Sequence, residues 1–134
     1  MNYWLIKTEP GSWSWADQKK HNVTHWDGVR NYQAANNLKA MQIGDQCFFY
    51  HSVSEKSIVG IVEVIKTAYP DPTDETGRFV MVDVRYLMEL NKPINLEVIK
   101  KDNRLSDIAL VKQSRLSVMP IGADEWKAIL EHSL

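Results

Sequence analysis

The side chains that could do chemistry fall into three small groups. Cys47 and His51 are the one close thiol and imidazole. Four residues along a strand put them about 13 Å apart, too far for a dyad or a shared metal, so both read as structural. Glu9 and Asp27 flank turns and could form a carboxylate pair for acid–base work, although acids beside turns also serve as caps. The third group is "WDGVRNYQAANNL", Trp26 to Leu38, where an indole and a Gly28 turn precede a row of amides. An exposed helix face normally carries Lys, Glu and Arg, so Gln33, Asn36 and Asn37 on one face cost helix propensity. Amides offer both donor and acceptor, as a nucleobase edge requires, and an indole beside a turn offers a flat π surface. The competing reading packs Trp26 in the core and uses the Asn side chains as caps and bridges. No phosphate-cradling glycine loop, nucleophile elbow or helical His-x-x-x-His occurs, and the expectation is a protein without a catalytic residue, cofactor or metal.

These groups need elements to hold them. "YWLIK" is β-rich and stops at Pro10 and Gly11, after which Ser12 can cap a short helix through "WADQKK". Asn31 is the expected N-cap of a helix in which Ala34, Ala35, Leu38 and Met41 recur at helical spacing, and Gly44 stops it. "QCFFYHS" and "SIVGIVEVIKTA" read as a hairpin, "YPDPTDETG" as the longest loop and "RFVMVDVRYLMEL" as a further strand. "NKPINLEVIKKD" reads as a proline turn and a short helix, "LSVMPI" as a last strand, and "GADEWKAILEHSL" as a closing helix with Trp126, Ile129 and Leu130 on its apolar edge. Trp4, Trp13, Trp15 and Trp126 are assigned to packing. Trp26, expected in a loop between polar neighbours, is the exception, and as a pocket ring it should bury less than a core one.

Consecutive hairpin-like strands with helices early and late predict a mixed α/β (α+β) fold, a curled antiparallel or mixed sheet forming a small barrel with flanking helices, in one domain over residues 1–134. The length suits one core. Sixteen Lys and Arg against seventeen Asp and Glu leave a formal charge of −1, which excludes a polycation and requires any nucleic-acid contact to come from a local patch. The candidate is Lys100 to Arg115, with five basic residues and two acidic ones, although on charge alone a solvated loop is the better reading. One cysteine excludes an internal disulfide. No apolar run spans a bilayer and no secretory signal opens the chain, which predicts a cytoplasmic location, or nuclear in a eukaryote.

"YWLIKTEP", "WDGVRNYQAANNL", "GDQCFFYHS", "IVGIVEV", "AYPDPT", "MVDVRY" and "DIALVKQSRLSVMPI", in this order and over nearly the whole chain, closely resemble the EVE domain. That family is similar to the PUA-like superfamily and to the YTH readers of methylated adenosine. The resemblance implies a PUA-like barrel and a pocket for a modified base in DNA or RNA. Matched to YTH domains position by position, it gives Lys7 a place by the phosphate and Thr8 and Glu9 contacts to the base edge. Trp26 becomes a cage tryptophan, Asp27 an acceptor through its backbone, and Tyr50, His51 and Ser52 the wall. Tyr69 or Pro70 would stand in for a second cage tryptophan, and Asn31 would fix the turn. The expected function is a non-enzymatic reader, its nucleic-acid backbone steered by Lys7, Arg30, Lys112 and Arg115. Two alternatives stay open: an enzyme on a modified nucleotide with Glu9, Asp27 or His51 as acid or base, and a peptide-binding module in the same groove.

Overall fold

The computed structural model describes residues 1–134, and its chain order begins with β1 (Tyr3–Thr8), α1 (Trp15–His21), β2 (Val23–Trp26) and α2 (Tyr32–Ala40). Then come β3 (Gln46–His51), β4 (Ser57–Pro70) and β5 (Val80–Asn95), followed by α3 (Leu96–Lys101), a 3-10 turn (Asn103–Leu105) and α4 (Ala109–Lys112). β6 (Val118–Ile121) and α5 (Ala123–Glu131) close the chain. The six strands form one mixed sheet in the order β2-β5-β4-β3-β1-β6. Only β1 and β3 run parallel, and the other four pairs are antiparallel. This is the expected α+β architecture, with β2 and β6 left as edges instead of paired to each other.

The curl comes from the long β4–β5 hairpin. Its register slips at four places between Ile58 and Tyr69, and each leaves extra residues on one strand, which bends it and tightens the right-handed twist. Aromatic packing follows that bend. Trp15 rests its ring on Gly60, where a Cβ would come within 2.0 Å of the indole, and also packs on Phe49 and Tyr86 at 4.9 and 5.2 Å. Across the sheet, Trp126 of α5 lies 3.7 Å from Phe48 and 4.4 Å from Tyr3, stacked on both. The core is one cluster of 32 buried residues.

Several local expectations change. The cap of α1 is Ser14, not Ser12, because Ser14 and Asp17 satisfy each other's backbone N–H groups in a capping box. Pro93 makes no turn; β5 runs through it to Asn95, whose side chain caps α3 by accepting from Val98 N at 2.9 Å. Trp26 ends a short strand, β2, that the polar neighbours of the indole had masked. Asn31 caps α2 as expected, accepting from Ala34 N at 2.9 Å. No helix is long and apolar enough to cross a membrane.

Candidate binding site at the sheet seam

Curling the sheet brings its two edges to one place. A cavity of about 440 Å³ is lined by Lys7 and Thr8 at the end of β1, Ser12 and Trp13 in the turn after it, Thr24, His25 and Trp26 of β2, the loop from Asp27 to Asn31, and Ser117 before β6. This volume lies within the range of about 300–1,000 Å³ usual for small-molecule sites. Two hydrogen bonds fix the β6 side of the seam. Lys7 N donates to Ser117 O at 2.9 Å, and Asn37 of α2 reaches the β6 carbonyl of Val118 at 2.7 Å. Asn37 is thus a bridge within the fold, while Gln33 and Asn36 stay exposed outside the cavity.

Trp26 joins the two roles that its sequence left as alternatives. It is only 7% exposed and meets Phe49 edge-on at 5.6 Å, so it belongs to the core, and it also lines the cavity. The expectation of a weakly buried loop ring is corrected by its position at the end of a paired strand. Trp13, expected in the core of a helix, sits before α1 as a second lining indole. Its Nε1–H donates to Gln18 at 2.9 Å and its ring leans on His21 at 5.4 Å, which fixes its orientation. The Thr8 hydroxyl donates to Trp13 O at 2.9 Å, tying this turn to β1.

The Asp27–Asn31 loop is shaped by a buried anion. Gly28 turns with φ of 79°, a conformation that a Cβ disfavours, and its N–H donates to Asp71 at 2.9 Å. Arg30 donates to the same carboxylate at 3.1 Å and to the Thr73 hydroxyl at 2.8 Å, over the ring of Phe79. Burial opposes the charge on Asp71, but bonds from Thr73, Gly28 and Arg30 outweigh it and hold the carboxyl at about 2. Arg30 therefore lines the cavity as an anchored cation with unused N–H donors. Asp27 is exposed at the cavity, and its carboxylate accepts no hydrogen bond within the chain. The Lys7 ammonium donates to Ser114 O at 2.9 Å and lies 5.8 Å from the Tyr50 ring, and burial lowers its pKa.

Of the residues expected at the site, Lys7, Thr8, Trp26, Asp27, Arg30 and Asn31 converge on the cavity. Glu9, Tyr50, His51, Ser52, Tyr69, Pro70, Lys112 and Arg115 are not among its lining residues. Tyr50 is buried beneath Lys7 on the neighbouring strand, and burial pushes its phenol up to about 12. His51 is occupied on both ring nitrogens: Nε2 accepts from Trp15 N at 2.9 Å and Nδ1 pairs with Glu55 at 2.7 Å. Ser52 N donates to Thr8 O at 2.9 Å. Tyr69 hydrogen-bonds Asp83 and His25, and Pro70 is exposed. Lys112 pairs with Asp107 at 2.9 Å, and Arg115 is exposed. Sequence reasoning missed Ser12, Trp13, Thr24, His25, Val29 and Ser117. Trp13 alone carried a signal, as a tryptophan two residues after the Pro10-Gly11 break. No group of three or more His, Cys, Asp or Glu side chains gathers to hold a metal ion.

Comparison with known proteins adds a lineage to this geometry. The EVE domain family model matches residues 2–132. Chicken thymocyte nuclear protein 1 is 36% identical over 162 residues, covering 96% of this chain and 67% of that protein. Among solved structures, a Rhodopseudomonas palustris protein is 47% identical with a TM-score of 0.92, covering 99% of this chain and 93% of its own. Human thymocyte nuclear protein 1, solved in complex with DNA containing 5-methylcytosine, is 32% identical with a TM-score of 0.92, over 98% of this chain and 96% of that one.

Proposed function

Since the chain belongs to the EVE family, with the PUA-like fold of its solved relatives, we propose that it is a non-enzymatic nucleic-acid-binding module, one EVE domain over residues 1–134, that reads a modified base in the seam cavity. The observation that carries this reading is the pair of indoles, Trp13 and Trp26, lining one cavity together with Lys7, Arg30 and the unpaired carboxylate of Asp27. A flipped or single-stranded base stacks on such rings at about 1–3 kcal/mol per contact, whatever its identity. Discrimination then falls to groups that meet its edge: the Asp27 carboxylate as acceptor, and the Asn31 Nδ2 amide, which capping leaves free, as donor. Lys7 and Arg30 supply positive charge for the phosphate.

The partner is DNA or RNA carrying a modified base, and the relative bound to 5-methylcytosine-containing DNA makes that modification the first to try. A reader is favoured over an enzyme because two of the three candidate acid–base groups are out of place. His51 has both nitrogens engaged and Glu9 does not line the cavity. We assign the protein to the cytoplasm, or to the nucleus in a nucleated cell.

The test is an affinity series with short DNA and RNA oligomers, each with and without one modified base, against wild type, Trp13→Ala and Trp26→Ala. One modified oligomer should bind tighter than its unmodified twin, and both substitutions should erase the difference. Equal binding of all twins by the wild type would reject the reading.

A further inference from the structure

Beside the cavity, on β2, stands a hydrogen-bonded cluster that base reading does not use. His25 pairs across the strands with Asp83 of β5, and its Nδ1 lies 2.8 Å from Asp83 Oδ1. The Tyr69 hydroxyl of β4 donates to the same oxygen and lies 3.1 Å from Nδ1. The Lys66 ammonium sits 3.9 Å from the centre of the Tyr69 ring. The Asp83 side chain is 13% exposed, whereas the imidazole is 64% exposed.

Three consequences follow from these contacts. A carboxylate facing Nδ1 at hydrogen-bond distance demands a proton there, so the neutral ring is the Nδ1–H tautomer. Its other nitrogen, Nε2, has no partner in the chain, and with Nδ1 pinned to a buried group the exposed edge of the ring is the Nε2 edge. In the neutral ring that nitrogen offers a lone pair, which repels an anion; in the protonated ring it offers an N–H, which binds one. Asp83 stays charged to support the imidazolium: burial opposes its charge, but the bonds from Tyr69 and His25 outweigh this and hold its pKa below the usual carboxylate value. Burial, with the Asp83 contact, pushes the Tyr69 phenol up to about 12, so it remains a donor.

We propose that His25 is a protonation-gated phosphate contact, its Nε2–H donating to a phosphodiester oxygen of the strand that enters the cavity, so that binding strengthens as pH falls. This rests on the nucleic-acid reading above and adds to it a backbone path from β2 across β5 toward Lys66 of β4. The charged and titratable groups around the ring are Asp83 from β5, Tyr69 and Lys66 from β4, and Asp27 on its own segment, with Lys7 and Arg30 lining the same cavity. Asp27 opposes an incoming phosphate and Lys66 favours it. The imidazole is the group whose proton decides whether a lone pair or an N–H faces the phosphate.

The experiment measures affinity for one unmodified single-stranded DNA oligomer and its modified twin between about pH 8 and pH 5, the window in which an imidazole titrates. Wild type is compared with His25→Gln, His25→Arg and Asp83→Asn, with melting temperatures recorded for each. Wild-type affinity for both oligomers should rise by about tenfold on acidification, the size of one charge-assisted hydrogen bond. His25→Gln should flatten the rise, and His25→Arg should bind tightly across the range. Asp83→Asn, which removes the carboxylate facing Nδ1, should reduce the gain in affinity on acidification. The ratio between the twins should not change in any of the His25 variants, because that ratio reports the indoles. A wild-type rise that persists in His25→Gln overturns the proposal while leaving the base reading intact. Wild type that binds neither oligomer at any pH overturns both.

Discussion

Trp26 and Trp126 are buried to nearly the same extent, 7% and 4% exposed, yet they occupy opposite kinds of surroundings. Trp126 is stacked on both Tyr3 and Phe48, so the indole is committed to packing. Trp26 meets Phe49 only edge-on and borders a cavity. Burial alone does not separate a core aromatic from a binding one; what lies opposite its faces does. A ring stacked on two neighbours is committed to packing, whereas one that borders a cavity presents part of its surface there.

The contrast is easiest to break by truncation. Trp126→Ala should cost about 3–5 kcal/mol, as for a fully packed aromatic, and should leave the preference between modified and unmodified oligomers intact in the folded fraction. Chemical denaturation alongside binding reads both. Trp26→Ala should cost about 3 kcal/mol, the low end of that range, because one side of the ring already faces a void. It should also remove about 1–3 kcal/mol of affinity for the preferred oligomer. Retained discrimination in Trp26→Ala, or lost discrimination in Trp126→Ala, would erase the distinction.

Acid sharpens the comparison, since the loop beside Trp26 hangs on Asp71 and the Trp126 stack involves no charge. The folded Asp71 carboxyl lies at about 2, below its ordinary 3.8. A depressed value stabilises the fold above the ordinary pKa, and that contribution is lost as pH falls through 3.8 toward 2. Roughly 2 kcal/mol should disappear in this window. Melting curves against pH should show a shallower decline for Asp71→Asn than for wild type. The smallest effect concerns the cations outside the cavity. Arg115→Glu should lower affinity for all oligomers alike and reduce the slope of log affinity against log salt by about one contact's worth, with stability changed by less than about 0.5 kcal/mol. An unchanged salt slope would assign Arg115 to plain solvated surface.

Legibility followed the range of the interactions. Asn31 was readable as a cap because capping is decided within four residues, and the β3–β4 hairpin because alternation and turn chemistry are local. The run of amides was readable as unusual, but not what each amide does: Asn37 serves the β6 edge 81 residues away, a partner no local pattern names. Trp13 and His25 were passed over for the same reason. Trp13 reads as a helix residue and nothing in the sequence singles out His25 until Gln18, Asp83 and Tyr69 are beside them.

The sequence by itself determined the α+β class, most elements, the helix cap at Asn31 and, through its seven ordered segments, the EVE lineage, because propensity, periodicity and motif order are properties of neighbouring residues. Only the tertiary structure decided that residues 7, 13, 26, 31 and 117 share one cavity, that Tyr69 and His51 are committed elsewhere, and that both edge regions of the sheet border that cavity. Those outcomes depend on how far the β4–β5 bulges bend the sheet, and a bend is the sum of register slips between distant strands.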